Sequence, residues 1–290
     1  MQKFELLTAK NIPELLGILK KATENSKLLA GGTDLIVKLN EGKLNPDLII
    51  DISGVSEMKY ITEDDENLLI GSLTTFTELE ENHLVKKYTN CLAEAAADVG
   101  SRQIRNRGTI GGNIGNSSPA GDSLPVLIAL EAKVVLIDSG GSIIELPIEN
   151  ILVGPNKTSL NPNQAIIGVK IPKKDESWIS TYSRIGSRTA VTIAKMSIAI
   201  NVSYNNETKV IEESIIGLGA VGKTAFRATR IEKFIANKKV NRELVGQFAE
   251  EMSIEIENAI PGRYSLPYKR EAIKSVAYQA FGNLFEAEIS

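Results

Sequence analysis

A chain with almost no cysteine or histidine must hold itself together by apolar packing. These 290 residues include one histidine, His83, and one cysteine, Cys91. That excludes an intrachain disulfide framework, a Cys/His zinc site and an iron–sulfur cluster held by this chain alone. A Ser-His-Asp or Cys-His mechanism would have to use His83 itself. The 42% of hydrophobic residues over this length are enough for a core of ordinary density, in one large domain or two modest ones. With 24% charged residues the chain is neither disordered nor fibrous. A net charge of −3 argues against a nucleic-acid partner. Met1-Gln2-Lys3-Phe4-Glu5 lacks the charged-then-apolar layout of a signal peptide. No stretch approaches the roughly 18 uninterrupted apolar residues of a membrane span. A cytoplasmic location is expected.

Periodicity sets out the organisation. A strand at Phe4–Leu7, a helix over Ile12–Glu24 and a strand at Leu28–Ala30 open the chain as βαβ. A short helix, Leu35–Leu39, and a β-branched strand, Leu48–Ile52, follow. Shorter strands at Tyr60-Ile61 and Leu68–Gly71 precede helices at Thr77–Glu81 and Leu92–Val99. The glycine-dense segment Gly108–Gly121 interrupts the pattern before a helix at Leu124–Leu130. Strands Val134–Ile137 and Ile143–Leu146 flank a Ser139-Gly140-Gly141-Ser142 hairpin turn, and Ile166–Ile171 is a strand closed by Pro172. The polar run Lys173–Ser177 places a domain boundary near residue 175. Beyond it come strands at Ala190–Val202 and Val210–Leu218. Ile231–Ala287 is mostly helical, with breaks at Pro261-Gly262 and Pro267.

One motif is a decoy. Gly217-Leu218-Gly219-Ala220-Val221-Gly222-Lys223-Thr224 satisfies both the G-x-G-x-x-G and the G-x-x-x-x-G-K-T patterns. An NTPase would need a later magnesium-binding aspartate, but the last aspartate in the chain is Asp175. A Rossmann unit would need a second strand ending in an acid about 20 residues on. Glu243 has that spacing, yet Ile231–Ile235 reads as helix and Lys238-Lys239 is no buried strand. The segment reads as a strand and turn of the second domain.

Two other loops carry the chemistry of a diphosphate site. Lys27-Leu28-Leu29-Ala30-Gly31-Gly32-Thr33-Asp34 runs a buried strand into paired glycines, a hydroxyl and a carboxylate, then a helix. Paired glycines let successive N–H groups converge on an anion without Cβ obstruction. Arg107-Gly108-Thr109-Ile110-Gly111-Gly112-Asn113-Ile114-Gly115-Asn116 repeats that chemistry with glycine pairs, a threonine and amide side chains, and Asp122 or Ser123 is placed to cap the next helix. Two such loops suggest a long diphosphate-bearing cofactor gripped from both sides. The alternative is two unrelated glycine turns with Asp122 as a mere cap.

Leu29–Asp34, Gln103-Ile104-Arg105-Asn106 with Gly108–Asn113, and Pro119-Ala120-Gly121-Asp122 resemble the FAD-binding medium subunit of molybdenum hydroxylases, the xanthine dehydrogenase and carbon-monoxide dehydrogenase family. Gly154–Leu160, Tyr182–Ala194 with Arg184-Ile185-Gly186-Ser187-Arg188, Leu218–Val221 and Tyr268-Lys269-Arg270 extend the resemblance over nearly the whole chain. It implies an α+β fold: a two-lobed α/β, PCMH-like FAD-binding domain over 1–175, with lobes of about 1–57 and 58–175, then an α+β carbon-monoxide dehydrogenase flavoprotein C-terminal domain over 176–290. FAD would bind noncovalently at Lys27–Asp34 and Thr109–Asn113, with Asp122 on its ribityl or ribose part. Ile166 would lie near the isoalloxazine. Arg184 stands where many members have lysine near the flavin, and the two cations differ in reach and geometry. The implied activity is electron relay from [2Fe–2S] clusters of a small partner subunit to NAD+ or another acceptor. A large molybdopterin-bearing partner would oxidise the organic substrate. No catalytic side chain and no metal ligand are expected on this chain.

Alternatives are a self-contained flavin oxidoreductase and a non-redox nucleotide-binding module. His83 reads as a solvated residue at a polar helix end, and Cys91 as core packing. Arg102, Arg105 and Arg107 form either a solvated basic loop or a surface facing the cofactor or the cluster subunit. Trp178 would cover the domain junction.

Overall fold

The computed structural model describes residues 4–187 and 192–289. Met1–Lys3, Arg188 and the expected strand start at Ala190 lie outside the described residues. The first lobe contains β1 (Glu5–Thr8), α1 (Ile12–Leu19), β2 (Lys27–Leu29), α2 (Leu35–Asn40) and β3 (Leu48–Asp51). Its strands are parallel in the order β1-β3-β2, so β3 lies between the two strands that open the chain. α1 begins at the Asn11 cap, whose side chain accepts from the Glu14 N–H, but it stops well short of Glu24. Beyond Leu19 short polar side chains take over. Thr23 Oγ1 donates to Asp47 at 2.6 Å and Asn25 Nδ2 to the Asn45 carbonyl at 2.8 Å, which favours a turn over continued helix.

The second lobe runs β4 (Ile61–Glu63), β5 (Asn67–Gly71), α3 (Phe76–Glu81), α4 (His83–Tyr88), α5 (Asn90–Asp98), α6 (Arg102–Arg105), α7 (Ile110–Asn116), α8 (Ser123–Ala129), β6 (Lys133–Asp138), β7 (Ile143–Pro147), α9 (Ile148–Ile151), β8 (Leu152–Gly154), β9 (Lys157–Thr158) and β10 (Gln164–Pro172). Its antiparallel sheet has the order β4-β5-β10-β6-β7. Leu68, Ile70, Val134, Leu136 and Val169 of that sheet share a core with Leu92, Ile114 and Leu127 of the helices. A second core joins the lobes. Leu15, Leu19, Leu48 and Ile50 of the first pack with Leu73, Ile137 and Ala165 of the second.

Lys173–Ser177 has no regular structure and leads into β11 (Trp178–Ile185), β12 (Met196–Asn205), β13 (Val210–Gly219), β14 (Phe226–Arg227), α10 (Thr229–Ile235), β15 (Lys238–Lys239), α11 (Arg242–Ala259) and α12 (Leu266–Ile289). β11-β12-β13-β14 form an antiparallel sheet, with β15 also on β13. α8 packs against β12 and β13, and α12 also packs on β12, so the strand is buried over nearly its whole length. One face, with Met196, Ile198, Ile200, Val202 and Tyr204, joins the C-terminal core, and on the other Asn201 Nδ2 donates to the Ala129 carbonyl of α8 at 3.2 Å.

Three sequence expectations are corrected. Gly108–Gly121 contains the helix α7, because Thr109 caps it and the Cβ-free residues allow it to lie directly on β5's exit. β11 was not anticipated, since its polar residues Ser180, Thr181 and Ser183 mask an alternating pattern. Pro267 is no break. It sits in the first turn of α12, where a missing N–H costs nothing. Among the described residues no helix is long and apolar enough to cross a membrane.

Candidate cofactor cleft

Between the two lobes lies a cleft of about 600 Å³, within the usual range for small-molecule sites. From the first lobe it is lined by Lys27, Leu28, Ala30, Gly31, Gly32, Thr33 and Asp34. From the second come Thr109, Gly111, Gly112, Asn113 and Ile166. Both glycine loops and the β10 residue therefore meet in one place. Leu29 and Ile110 do not line it, and Ile110 is fully buried in the second lobe's core.

The two loops differ in what they offer. The backbone N–H groups of Gly31, Gly32, Thr33, Asp34 and Leu35 donate to no protein acceptor among the described residues. Consecutive unspent donors at a strand-to-helix turn form an anion-binding concavity. The second loop has spent four of its five backbone donors, from Ile110 to Asn113. Ile110 N–H bonds the Thr74 carbonyl at 3.0 Å, Gly111 N–H the Ser72 carbonyl at 2.9 Å and Asn113 N–H the Thr109 carbonyl at 2.9 Å. Gly112 N–H bonds Thr109 Oγ1 at 3.1 Å. The longer run of free amides therefore comes from the first loop, while the second adds the Thr109 N–H and the Asn113 side-chain amide, which donate to no protein acceptor among the described residues.

The glycines also serve the protein itself. A Cβ on Gly31 would collide with the Arg107 carbonyl, so this residue is small because the two loops touch. Gly32 takes a left-handed φ of +76°. A Cβ on Gly111 would stand 2.5 Å from the Ser72 Cβ, and one on Gly112 2.9 Å from Thr109 Oγ1. Lys27, Lys38 and Lys157 line the cleft against the acids Glu24 and Asp34, which leaves its charge positive. Free amides, Cβ-free walls, surplus cations and apolar side chains such as Phe76, Val99 and Ile104 fit an FAD-like dinucleotide.

Asp122 and Arg184 lie off the cleft wall, in a seam between α8, α5 and β11. Asp122 does not cap α8 with its side chain. Its carboxylate accepts from Tyr182 Oη at 2.6 Å and Arg184 Nη1 at 3.4 Å. Burial outweighs those partners and pushes its pKa up to about 6. Arg184 also donates from Nε to Asp98 Oδ2 at 2.9 Å and from Nη1 to the Thr192 carbonyl at 2.9 Å. Nearby, Glu94 accepts from Tyr182 N–H at 2.7 Å and Thr181 Oγ1 at 3.0 Å, covering the edge of β11.

The decoy motif belongs to the same seam. A Cβ on Gly217 would collide with the Pro125 carbonyl of α8, and one on Gly219 would stand 2.9 Å from Pro125 Cγ. Ala220 N–H donates to the Pro119 carbonyl at 2.8 Å, and Lys269 Nζ to the Ala220 carbonyl at 2.5 Å. Arg102 and Arg105 are paired with Glu80 and Glu81 of α3, and Arg107 of the same loop is exposed. His83 is exposed at the start of α4. Cys91 is buried, with its thiol pKa pushed up to about 12 by desolvation, as a packing residue requires. Sequence reasoning missed Lys38, Ser72 and Val99 in the cleft. Only the meeting of distant segments reveals them, and Lys38 and Asn116 are 78 positions apart.

Comparison with known proteins agrees with this architecture. Residues 2–174 match the family described as the FAD binding domain in molybdopterin dehydrogenase. Residues 181–284 match the CO dehydrogenase flavoprotein C-terminal domain. The chain is 31% identical over 280 residues to the glyceraldehyde dehydrogenase medium chain of Sulfolobus acidocaldarius, covering 96% of this chain and 97% of that protein. It is 28% identical over 253 residues to the xanthine dehydrogenase FAD-binding subunit of Escherichia coli O157:H7, covering 87% and 86%. A solved carbon monoxide dehydrogenase structure from Hydrogenophaga pseudoflava superposes with a TM-score of 0.88 at 26% identity, covering 97% of this chain and 96% of that one.

Proposed function

Because the chain belongs to the family of FAD-binding medium subunits of molybdopterin dehydrogenases, we propose that it holds FAD noncovalently in the interlobe cleft and works as the flavin relay of a xanthine dehydrogenase-like complex. The observation that carries the cofactor assignment is the run of unspent N–H groups from Gly31 to Leu35 in a positively charged cleft. These amides and Thr33 Oγ1 take the diphosphate, while Gly111, Gly112 and Asn113 form the facing surface. Ile166 supplies backbone at the inner end, and Asp122 with Arg184 fixes α8 and β11 beside the second loop. The proposed division near residue 175 gives the cofactor to the first two lobes, and the family matches to 2–174 and 181–284 support it.

FAD, when bound, supplies the redox chemistry of that role, exchanging electrons between [2Fe–2S] clusters of a small partner subunit and NAD+ or another acceptor, while a molybdenum-cofactor large subunit oxidises the organic substrate. The chain's own residues bind and orient, and none is placed as an acid, base or nucleophile. The purified protein is expected to be yellow and to release its flavin on denaturation. Gly32→Val forces a branched side chain onto a φ of +76°, and Gly112→Val crowds Thr109. Both should abolish flavin retention, and full flavin content in both variants would refute the assignment. A colourless wild-type protein that binds nucleotides without redox activity would favour the nucleotide-binding alternative.

A further inference from the structure

Lys38 differs from the arginines the chain holds near its loops. Arg102, Arg105 and Arg184 each pair with a carboxylate, so their charge is neutralised locally. Lys38 Nζ instead donates at 2.7 Å to Asn116 Oδ1, a neutral amide. Among the described residues that is its one acceptor, so the ammonium keeps its full charge and two further N–H donors. Its position is also set. Lys38 lies on α2 one turn beyond the unspent amides, and its backbone N–H bonds the Asp34 carbonyl at 3.1 Å. Asn116 is the last residue of α7, in the other lobe, and both side chains line the cleft. The bond therefore ties the two walls together and holds an unneutralised cation in the cleft that the amide cluster lines.

We propose that Lys38, steadied by Asn116, is a cofactor-positioning residue that directs its charge at the diphosphate and latches the cleft around it. This rests on the FAD reading above. The ammonium adds to the amides a full charge where they supply only dipoles, and a diphosphate is the part of a dinucleotide that rewards it. Asn116 reduces the conformational entropy that a long lysine side chain would lose on meeting the ligand.

The test uses the deflavinated chain, with FAD and ADP as probes, followed by flavin fluorescence and calorimetry. Wild type binding FAD establishes the underlying reading, and its failure to bind would overturn that reading rather than this one. Lys38→Met should then weaken FAD and ADP by a comparable factor of about tenfold or more, with a shallower dependence on salt concentration. Lys38→Arg should stay within about threefold of wild type, because the charge is kept. Asn116→Ala should speed FAD release with a smaller loss of affinity than Lys38→Met. The melting temperature of each apo variant, compared with wild type, separates these effects from misfolding. The proposal falls if Lys38→Met leaves FAD affinity within twofold of wild type. It falls equally if the loss spares ADP, or if Lys38→Arg binds as poorly as Lys38→Met.

Discussion

A single carboxylate shows how the interior of this chain weighs competing forces. Asp122 has a tyrosine hydroxyl and a guanidinium as partners, yet desolvation holds its pKa at about 6 against an ordinary 3.8. Asp98 works in the same direction by repulsion. A carboxyl with a raised folded-state pKa keeps more protons in the folded chain than in the unfolded one. Its contribution is therefore greatest below the ordinary pKa and is lost as pH rises towards about 6. A rise from 3.8 to about 6 corresponds to roughly 3 kcal/mol across that window. Asp122→Asn removes the titration. The stability of wild type relative to this variant should thus fall between pH 4 and pH 7, by up to about 3 kcal/mol, in paired denaturant melts. A difference that does not change with pH would show that Asp122 stays in one protonation state throughout. The sequence singles this residue out, but not its partners. Tyr182 and Arg184 are 60 and 62 positions away, and no local pattern announces a carboxylate buried against another domain.

At the scale of elements, the glycines of this chain divide by what they touch. Those of the first loop are a weak signal alone, since Gly-Gly also makes ordinary strand-to-helix turns, and gain weight only from the second loop. The second glycine run was read as a loop and proved to be a helix, since tertiary contact with Ser72 and Thr109 overrides the low helix propensity of glycine. The motif at Gly217–Thr224 was set aside from nucleotide binding for want of a later aspartate, and the structure shows what its glycines accommodate: α8, which meets β13 at Pro125. Gly217→Ala should therefore overpack the seam and cost about 1–3 kcal/mol in a denaturant melt. Lys223 is exposed beside it, so Lys223→Ala should change stability by no more than about 0.5 kcal/mol and leave flavin content unaltered. Magnesium-dependent ATP binding that disappears with Lys223→Ala would reverse this account of the motif.

On the scale of the whole molecule, the inventory of soft ligands decides what the chain does alone. One cysteine cannot hold a [2Fe–2S] cluster, and among the described residues no group of histidine, cysteine and acidic side chains is placed to hold a metal ion. A flavin relay therefore needs its electron donor from outside, close to the cleft, because electron transfer weakens steeply with distance. The surface around the cleft has the character such a neighbour needs. Ile36 and Val37 of α2 are 42% and 51% exposed, and the cleft residues Ile104 and Val153 are 39% and 59% exposed. Exposed aliphatic side chains on α2 and at the cleft suit a permanent interface better than a transient one. Purified alone, the chain should catalyse only flavin-level reactions, such as reduction of an artificial dye by NADH. Co-expressed with its molybdenum-cofactor and [2Fe–2S] partners, it should enter a stable complex that couples oxidation of an organic substrate to NAD+ reduction. Replacing Ile36 and Val37 together with glutamate should leave flavin content and dye reduction of the isolated chain intact while preventing that complex from forming, as gel filtration would register. If the chain alone, free of molybdenum and iron, reduced NAD+ at the expense of an organic substrate, its assignment as a relay subunit would be wrong.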